Sequence, residues 1–127
     1  MKYTFLVVIL LLQCSPKTNF STMKENSLYG LHGKLVAKAG QGATLAEILL
    51  EAAAMMQAAK GCRFYVVSTE EGRPEEVWIT EVWDTKEDHD RSLSDPKVRA
   101  LISKALPLLE GNPQKGQELQ VLGGAGL

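Results

Sequence analysis

The sequence predicts an α+β domain of βαββαβ order, the split βαβ pattern of ferredoxin-like folds. Three observations carry this expectation. Two runs rich in aromatic and β-branched residues, 62–70 and 76–83, are separated only by EGRPE and read as an antiparallel hairpin. Segments of helical periodicity stand on either side of that hairpin, and strand-like stretches stand at both ends of the domain.

The elements follow in order. LYGLHGKLVAKA, 28–39, has mixed period-two character and is closed by a turn at Gly40 and Gly42. Thr44 with Glu47 matches a capping box, in which hydroxyl and carboxylate satisfy the free amides of a helix start. The helix that follows carries Leu45, Ile48, Leu49, Ala52, Met55, Met56 and Ala59 on one face, with Gly61 as its end. The two methionines read as core filling rather than as a cofactor box.

After the hairpin, Thr85 caps a short helix over 86–93, and Asp95 before Pro96 starts another. Val98, Leu101, Ile102, Ala105 and Leu109 form its apolar face, which Pro107 kinks or ends by removing a hydrogen bond. QELQVL, 117–122, is a weak final strand, and 123–127 a loose tail. Along the hairpin, Phe64 and Val66 alternate with Tyr65 and Val67, and Val77, Ile79 and Trp83 with Trp78 and Val82. Helices can cover only one of these apolar faces, so a homodimer joined through the sheets is expected.

With 127 residues the chain holds one domain and an extension. Its 14 basic and 15 acidic side chains are dispersed and leave a formal charge of −1, which argues against a nucleic-acid footprint. The opening MKYTFLVVILLLQC differs from the rest, with Lys2 ahead of an apolar run from Phe5 to Leu12. A bilayer-spanning helix needs about 20 apolar residues, whereas this length suits the centre of an export signal. The run into Leu11, Leu12, Gln13 and Cys14, followed by a polar tether, resembles the signal and lipid-attachment box of bacterial lipoproteins. That resemblance implies acylation of Cys14, attachment to a membrane and a place in the cell envelope, although Gln13 stands where a small residue is usual. A cleaved signal without lipid is one alternative. Translation from Met23, leaving a cytoplasmic domain, is another. The organisation expected is 1–14 signal-like, 15–27 linker, 28–122 domain and 123–127 tail.

Several chemistries lack their residues. GQG at 40–42 has no further part of a phosphate fingerprint, and neither a nucleophile elbow nor a His/Cys cluster at metal spacing occurs. Cys62 has no evident partner. What remains is aromatic and titratable. His89 stands four residues from Leu93 on one side of an otherwise hydrophilic short helix and is expected to point inward. Glu81 and Trp83 share a face of their strand. A pocket of Trp83, Glu81 and His89 would join an aromatic wall to a group titrating near neutral pH, which suits binding and deprotonating a phenol. The same residues are open to plainer readings: tryptophans as core, His89 as a hydrogen-bonded structural group, Glu81 as partner of a lysine or arginine. Gly30 and Gly33, flanking His32, suggest a ligand or a packed aromatic close to the backbone.

LHGKLVAKAG, ILLEAAAMMQAAKGCRFYVVSTE, VWITEVWDTKEDHDRSL and DPKVRALISKALPLL together resemble the antibiotic biosynthesis monooxygenase family, particularly its bacterial quinol monooxygenase-like branch, from Tyr29 to Leu109. The most specific parts are Glu-x-Trp at Glu81–Trp83, the segment KEDHDRSL and Gly61. The resemblance implies a dimeric α+β barrel that oxidises electron-rich quinols or phenols with dioxygen and no protein-held metal or flavin. It makes His89 the proton acceptor, Trp83 and Trp78 pocket walls and Tyr65 a hydrogen-bond donor, and the residues read above add Glu81 and His32 as candidates toward substrate. Heme-degrading relatives depend on a first-strand asparagine, which YGLHGKL lacks. A non-catalytic dimeric binding module, an isomerase or a heme-handling protein of the same fold are the alternatives.

Overall fold

The structure, a computed structural model, describes residues 27–127; the signal-like segment, Cys14 and nearly all of the tether lie outside the described residues. The described chain forms β1 (Leu28–Val36), α1 (Gly42–Met56), β2 (Cys62–Glu70), β3 (Arg73–Trp83), α2 (Lys86–Ser92), α3 (Pro96–Ala105), a 3-10 turn (Leu106–Leu108) and β4 (Gln117–Val121). The strands make one antiparallel sheet of order β2-β3-β1-β4. This is the expected ferredoxin-like α+β fold. The short α2, the 3-10 turn and α3 occupy the place of the second helix.

Two of the three helix starts are written locally. The Thr85 hydroxyl accepts the Asp88 amide at 3.1 Å, and Asp95 Oδ1 accepts the Lys97 amide at 2.8 Å, with Pro96 opening α3. The Thr44–Glu47 capping box does not form. α1 begins earlier, at Gly42, and its preceding Gln41 makes no side-chain cap. Tertiary packing sets this start, because a Cβ on Gly42 would lie 2.0 Å from the Pro74 carbonyl oxygen of β3. Only a glycine lets the two backbones approach so closely. Nor does Gly61 end the helix. α1 stops at Met56, irregular turns follow, and Gly61, with φ of +80°, turns the chain into β2.

β1 ends at Val36, short of residue 39; beyond it Ala37 bridges to Leu109 and Lys38 donates to the Leu108 carbonyl. β3 starts ahead of Glu76 and includes Pro74, tolerated because pairing with β1 ends at Glu76 and leaves the proline without a ladder partner on that side.

One core cluster gathers Ala37, Leu45, Leu49, Val77, Ala105 and Leu109; a second holds Met56, Trp83 and Val98. Both lie between the sheet and the helices. On the opposite sheet face Phe64 is 40% exposed and Leu119 46% exposed, in register with His32, Trp78, Thr80 and Val82. Gly30 and Gly33 are explained by β4 and the residue before it: a Cβ would meet the Val121 side chain at the first and Gly116 Cα at the second. No aromatic ring is among the atoms that such a Cβ would meet.

Candidate active site

The antiparallel register places Tyr29 opposite Trp83, Leu31 opposite Glu81 and Tyr65 opposite Glu81, all directed toward the helices. α2 then carries His89 onto the same cluster. Its position is held by the Thr85 cap and by Ser92 Oγ donating to the His89 carbonyl at 2.6 Å. Leu93, expected to share the inward face of His89, instead follows the end of α2 and is 44% exposed. Asp88, which looked suited to water, is buried. A Cβ at Gly61 would strike its carboxylate, so that glycine leaves room for it as well as for the turn.

Trp83 is fully enclosed and donates its indole N–H to Glu81 Oε2 at 2.8 Å. Glu81 is buried, and His89 Nε2 stands 3.8 Å from the same oxygen. No lysine or arginine is paired with Glu81 among the described ion pairs. Burial pushes the Glu81 carboxyl up, opposed by the Trp83 N–H and the His89 charge. The His89 ring is held between Trp83, edge-on at 5.7 Å between centroids, and Tyr29 at 5.4 Å. Its Nδ1 lies 2.9 Å from Asp90 Oδ1, and Asp90 also accepts from Lys86 Nζ at 3.3 Å. The His89 contact and then Lys86 hold Asp90 below the usual carboxylate range.

A cavity of about 220 Å³ lies between the sheet and the helices. Ile48, Leu49, Ala52 and Met56 of α1 and Val98, Leu101, Ile102 and Ala105 of α3 supply half of its lining residues. Its polar side chains are Glu81, Tyr65 and Ser92, and no cationic side chain lines it. Ser92 is engaged with the backbone of α2, which leaves Glu81 and Tyr65 to meet a ligand. Burial, and then the charge of Glu81, raise the Tyr65 phenol far above its ordinary value, so its hydroxyl is a donor and not a base. Ile102, assigned to the inward face of its helix, is 40% exposed and lines the cavity rim with Leu93 and Leu106. A smaller space of about 140 Å³, bounded by Leu31, Gly33, Ile79, Gln114 and Gly116, also reaches Glu81.

The expected residues therefore divide. Glu81, Trp83, Tyr65 and His89 come together, with Glu81 and Tyr65 in the cavity wall and Trp83 and His89 one side chain behind it. Trp78 and His32, expected among the pocket walls, also meet, but on the other sheet face. Their rings stack at 5.2 Å, and His32 Nδ1 lies 3.0 Å from Thr80 Oγ1. Strand alternation puts position 78 opposite in sense to 81 and 83, and no twist reverses that. Two partners of His89 were missed. Tyr29 is legible once the β1–β3 register is known, whereas Asp90 is adjacent in sequence and neighbours on a helix do not ordinarily face each other. Among the described residues no group of three or more His, Cys, Asp and Glu side chains could hold a metal ion.

Fold and site together define a ferredoxin-like α+β domain built around a small apolar cavity with a buried carboxyl group in its wall. The antibiotic biosynthesis monooxygenase family matches residues 28–104, and the chain belongs to that family. A crystal structure described as a "putative antibiotic biosynthesis monooxygenase" from Chloroflexus aurantiacus J-10-fl is 41% identical, with a TM-score of 0.69 over 77% of this chain and 96% of that one. One of the same description from Caulobacter crescentus CB15 (15% identity, TM-score 0.68, 80% and 95% covered) shares the fold. So does a conserved protein from Methanosarcina mazei Go1 (13% identity, TM-score 0.69, 79% and 98% covered). No curated protein matches the chain. Membership supports a general monooxygenase type of function.

Proposed function

We propose that this protein is a cofactor-independent monooxygenase that oxidises a small uncharged quinol or related phenol with dioxygen. The observation that carries the reading is the cavity: apolar almost throughout, with a buried carboxyl and a phenol as its free polar groups. At about 220 Å³ it is below the roughly 300–1,000 Å³ of sites for drug-sized ligands and above the about 150 Å³ that accepts benzene in an engineered cavity. A compound of one or two rings fits that interval. The absence of a cationic side chain from the wall disfavours carboxylated or phosphorylated compounds, whose charge would be desolvated without a partner.

The electron count needs no further reductant. A hydroquinone and one dioxygen give a hydroxyquinone and one water: one oxygen atom enters the ring, the other leaves as water, and the substrate supplies all four electrons. Removing the phenolic proton makes the ring electron-rich enough to reduce dioxygen, so the protein's tasks are to bind, to exclude water and to take that proton. Tyr65 orients a substrate oxygen as donor, and the Glu81–His89 pair receives the proton. Purified protein supplied with a panel of hydroquinones in an oxygen electrode is expected to consume oxygen catalytically, with chelator present as without it. Tight binding with no consumption would favour a binding module instead.

The apolar outer sheet face supports a second copy of the chain as its cover. Phe64→Asp, which places a charge on that face, is expected to convert a dimer into a monomer by light scattering while the cavity, on the other side of the sheet, is retained. A wild-type monomer at micromolar concentration would remove this part of the reading.

A further inference from the structure

We propose that Glu81, His89 and Asp90 form a proton relay between the apolar cavity and bulk water, in which Glu81 meets the substrate and His89 and Asp90 carry its proton. The proposal rests on the reading of the cavity as the place where a phenol is deprotonated. Within the wall Glu81 is the one carboxyl group, and at 7% exposed it is buried away from bulk water. His89 is equally enclosed. Tyr29 and Trp83 cover its ring, so its two nitrogens are what connect it onward. Nε2 is directed to Glu81 at 3.8 Å and Nδ1 to Asp90 at 2.9 Å. Asp90, whose side chain is 53% exposed, ends the path in water. The longer gap is closed by rotation about the terminal torsion of Glu81, which is soft.

The groups facing Glu81 are consistent with this path. They are Tyr65 from β2, Trp83 beside it on β3, His89 from α2 and, farther off, Tyr29 from β1 and Cys62 at the start of β2. α1 and α3 bring no titratable side chain into the cavity. Tyr65 is kept protonated by burial, which leaves His89, with a ring nitrogen toward each carboxylate, as the neighbour placed to pass a proton onward.

Protons balance at each step. The substrate O–H breaks as a Glu81 O–H forms, leaving a phenolate. That O–H breaks as Nε2–H forms, giving an imidazolium between two carboxylates. Nδ1–H then breaks as Asp90 is protonated, and Asp90 releases the proton to water, which leaves the ring as its Nε2–H tautomer until a proton returning along the same path restores Nδ1–H. Run backwards, the same steps return a proton to the cavity.

The test needs no turnover. The full chain is loaded with 4-nitrophenol, whose phenolate absorbs visible light, and the ionisation rate of the bound probe is followed after a pH jump. His89→Gln is expected to slow it about 100-fold and the exposed Asp90→Asn about tenfold, with probe affinity unchanged in the latter. Added imidazole is expected to restore the rate in His89→Gly, which a merely structural role would not show. Wild-type rates in both His89→Gln and Asp90→Asn overturn the relay. Slowed rates in a protein that consumes no oxygen with hydroquinones keep the relay and overturn the oxidation; failure of the cavity to take up the probe overturns both.

Discussion

Trp83→Ala is expected to lower the unfolding free energy by about 3–5 kcal/mol, the cost of emptying a large aromatic from a closed core. Trp83 is fully enclosed, packs with Met56 and Val98, and is the hydrogen-bond donor to the buried Glu81. The truncation therefore leaves a void and a carboxyl without its partner, which adds about 1–3 kcal/mol. Small domains have about 5–15 kcal/mol in total, so the variant is expected to be near the limit of folding, with a urea midpoint far below wild type. Trp83→Phe separates the two contributions. It keeps most of the packing and loses the N–H, and its cost is expected to match the hydrogen-bond part. A midpoint for Trp83→Ala close to wild type would show that Trp83 is not a core residue.

Glu81→Gln is expected to reduce oxygen uptake by about 100-fold or more while changing stability in a direction set by pH. Burial holds the Glu81 carboxyl above the usual carboxylate range, with Trp83 and His89 pulling the other way. The folded chain thus keeps this proton at a pH where the unfolded chain has lost it. Stability from the group falls as pH rises from the ordinary carboxylate range through the raised folded value, then levels off. The glutamine variant has no such proton, and its carbonyl oxygen can still accept from Trp83. Its melting temperature relative to wild type is therefore expected to be higher at pH 8 than at pH 4. In activity the sign is opposite. In the proposed mechanism the ionised carboxylate is the acceptor, so wild-type rates are expected to rise with pH through that same value and the variant's residual rate is not. A constant stability difference across this range would mean that Glu81 has the same proton affinity folded and unfolded.

The parts of the fold that were legible are those whose signal is local. Thr85 and Asp95–Pro96 start helices because a hydroxyl or carboxylate beside free amides acts within a few residues, and β2 and β3 pair because a tight turn joins two β-rich runs. Thr44 and Glu47 carried the same kind of local signal and misled, since the approach of Gly42 to Pro74, distant in sequence, starts the helix sooner. Leu93 and Ile102 misled for a related reason: helical periodicity identifies an apolar stripe but not whether its margin is covered or forms the rim of a cavity.

The candidate site shows the same division. By itself the sequence determined the separation of Trp83 and Glu81 from Trp78, because side chains alternate along any strand. It also determined the inward position of His89 in a helix of otherwise hydrophilic residues. Only the tertiary structure decided that Glu81 faces the cavity while His89 stands behind it, that Tyr29 and Trp83 hold the imidazole, and that the half-exposed Asp90 lies against its Nδ1. Those relations depend on strand register and on how α2 is seated against the sheet. They are properties of contacts between segments far apart in the chain, and no residue carries them alone.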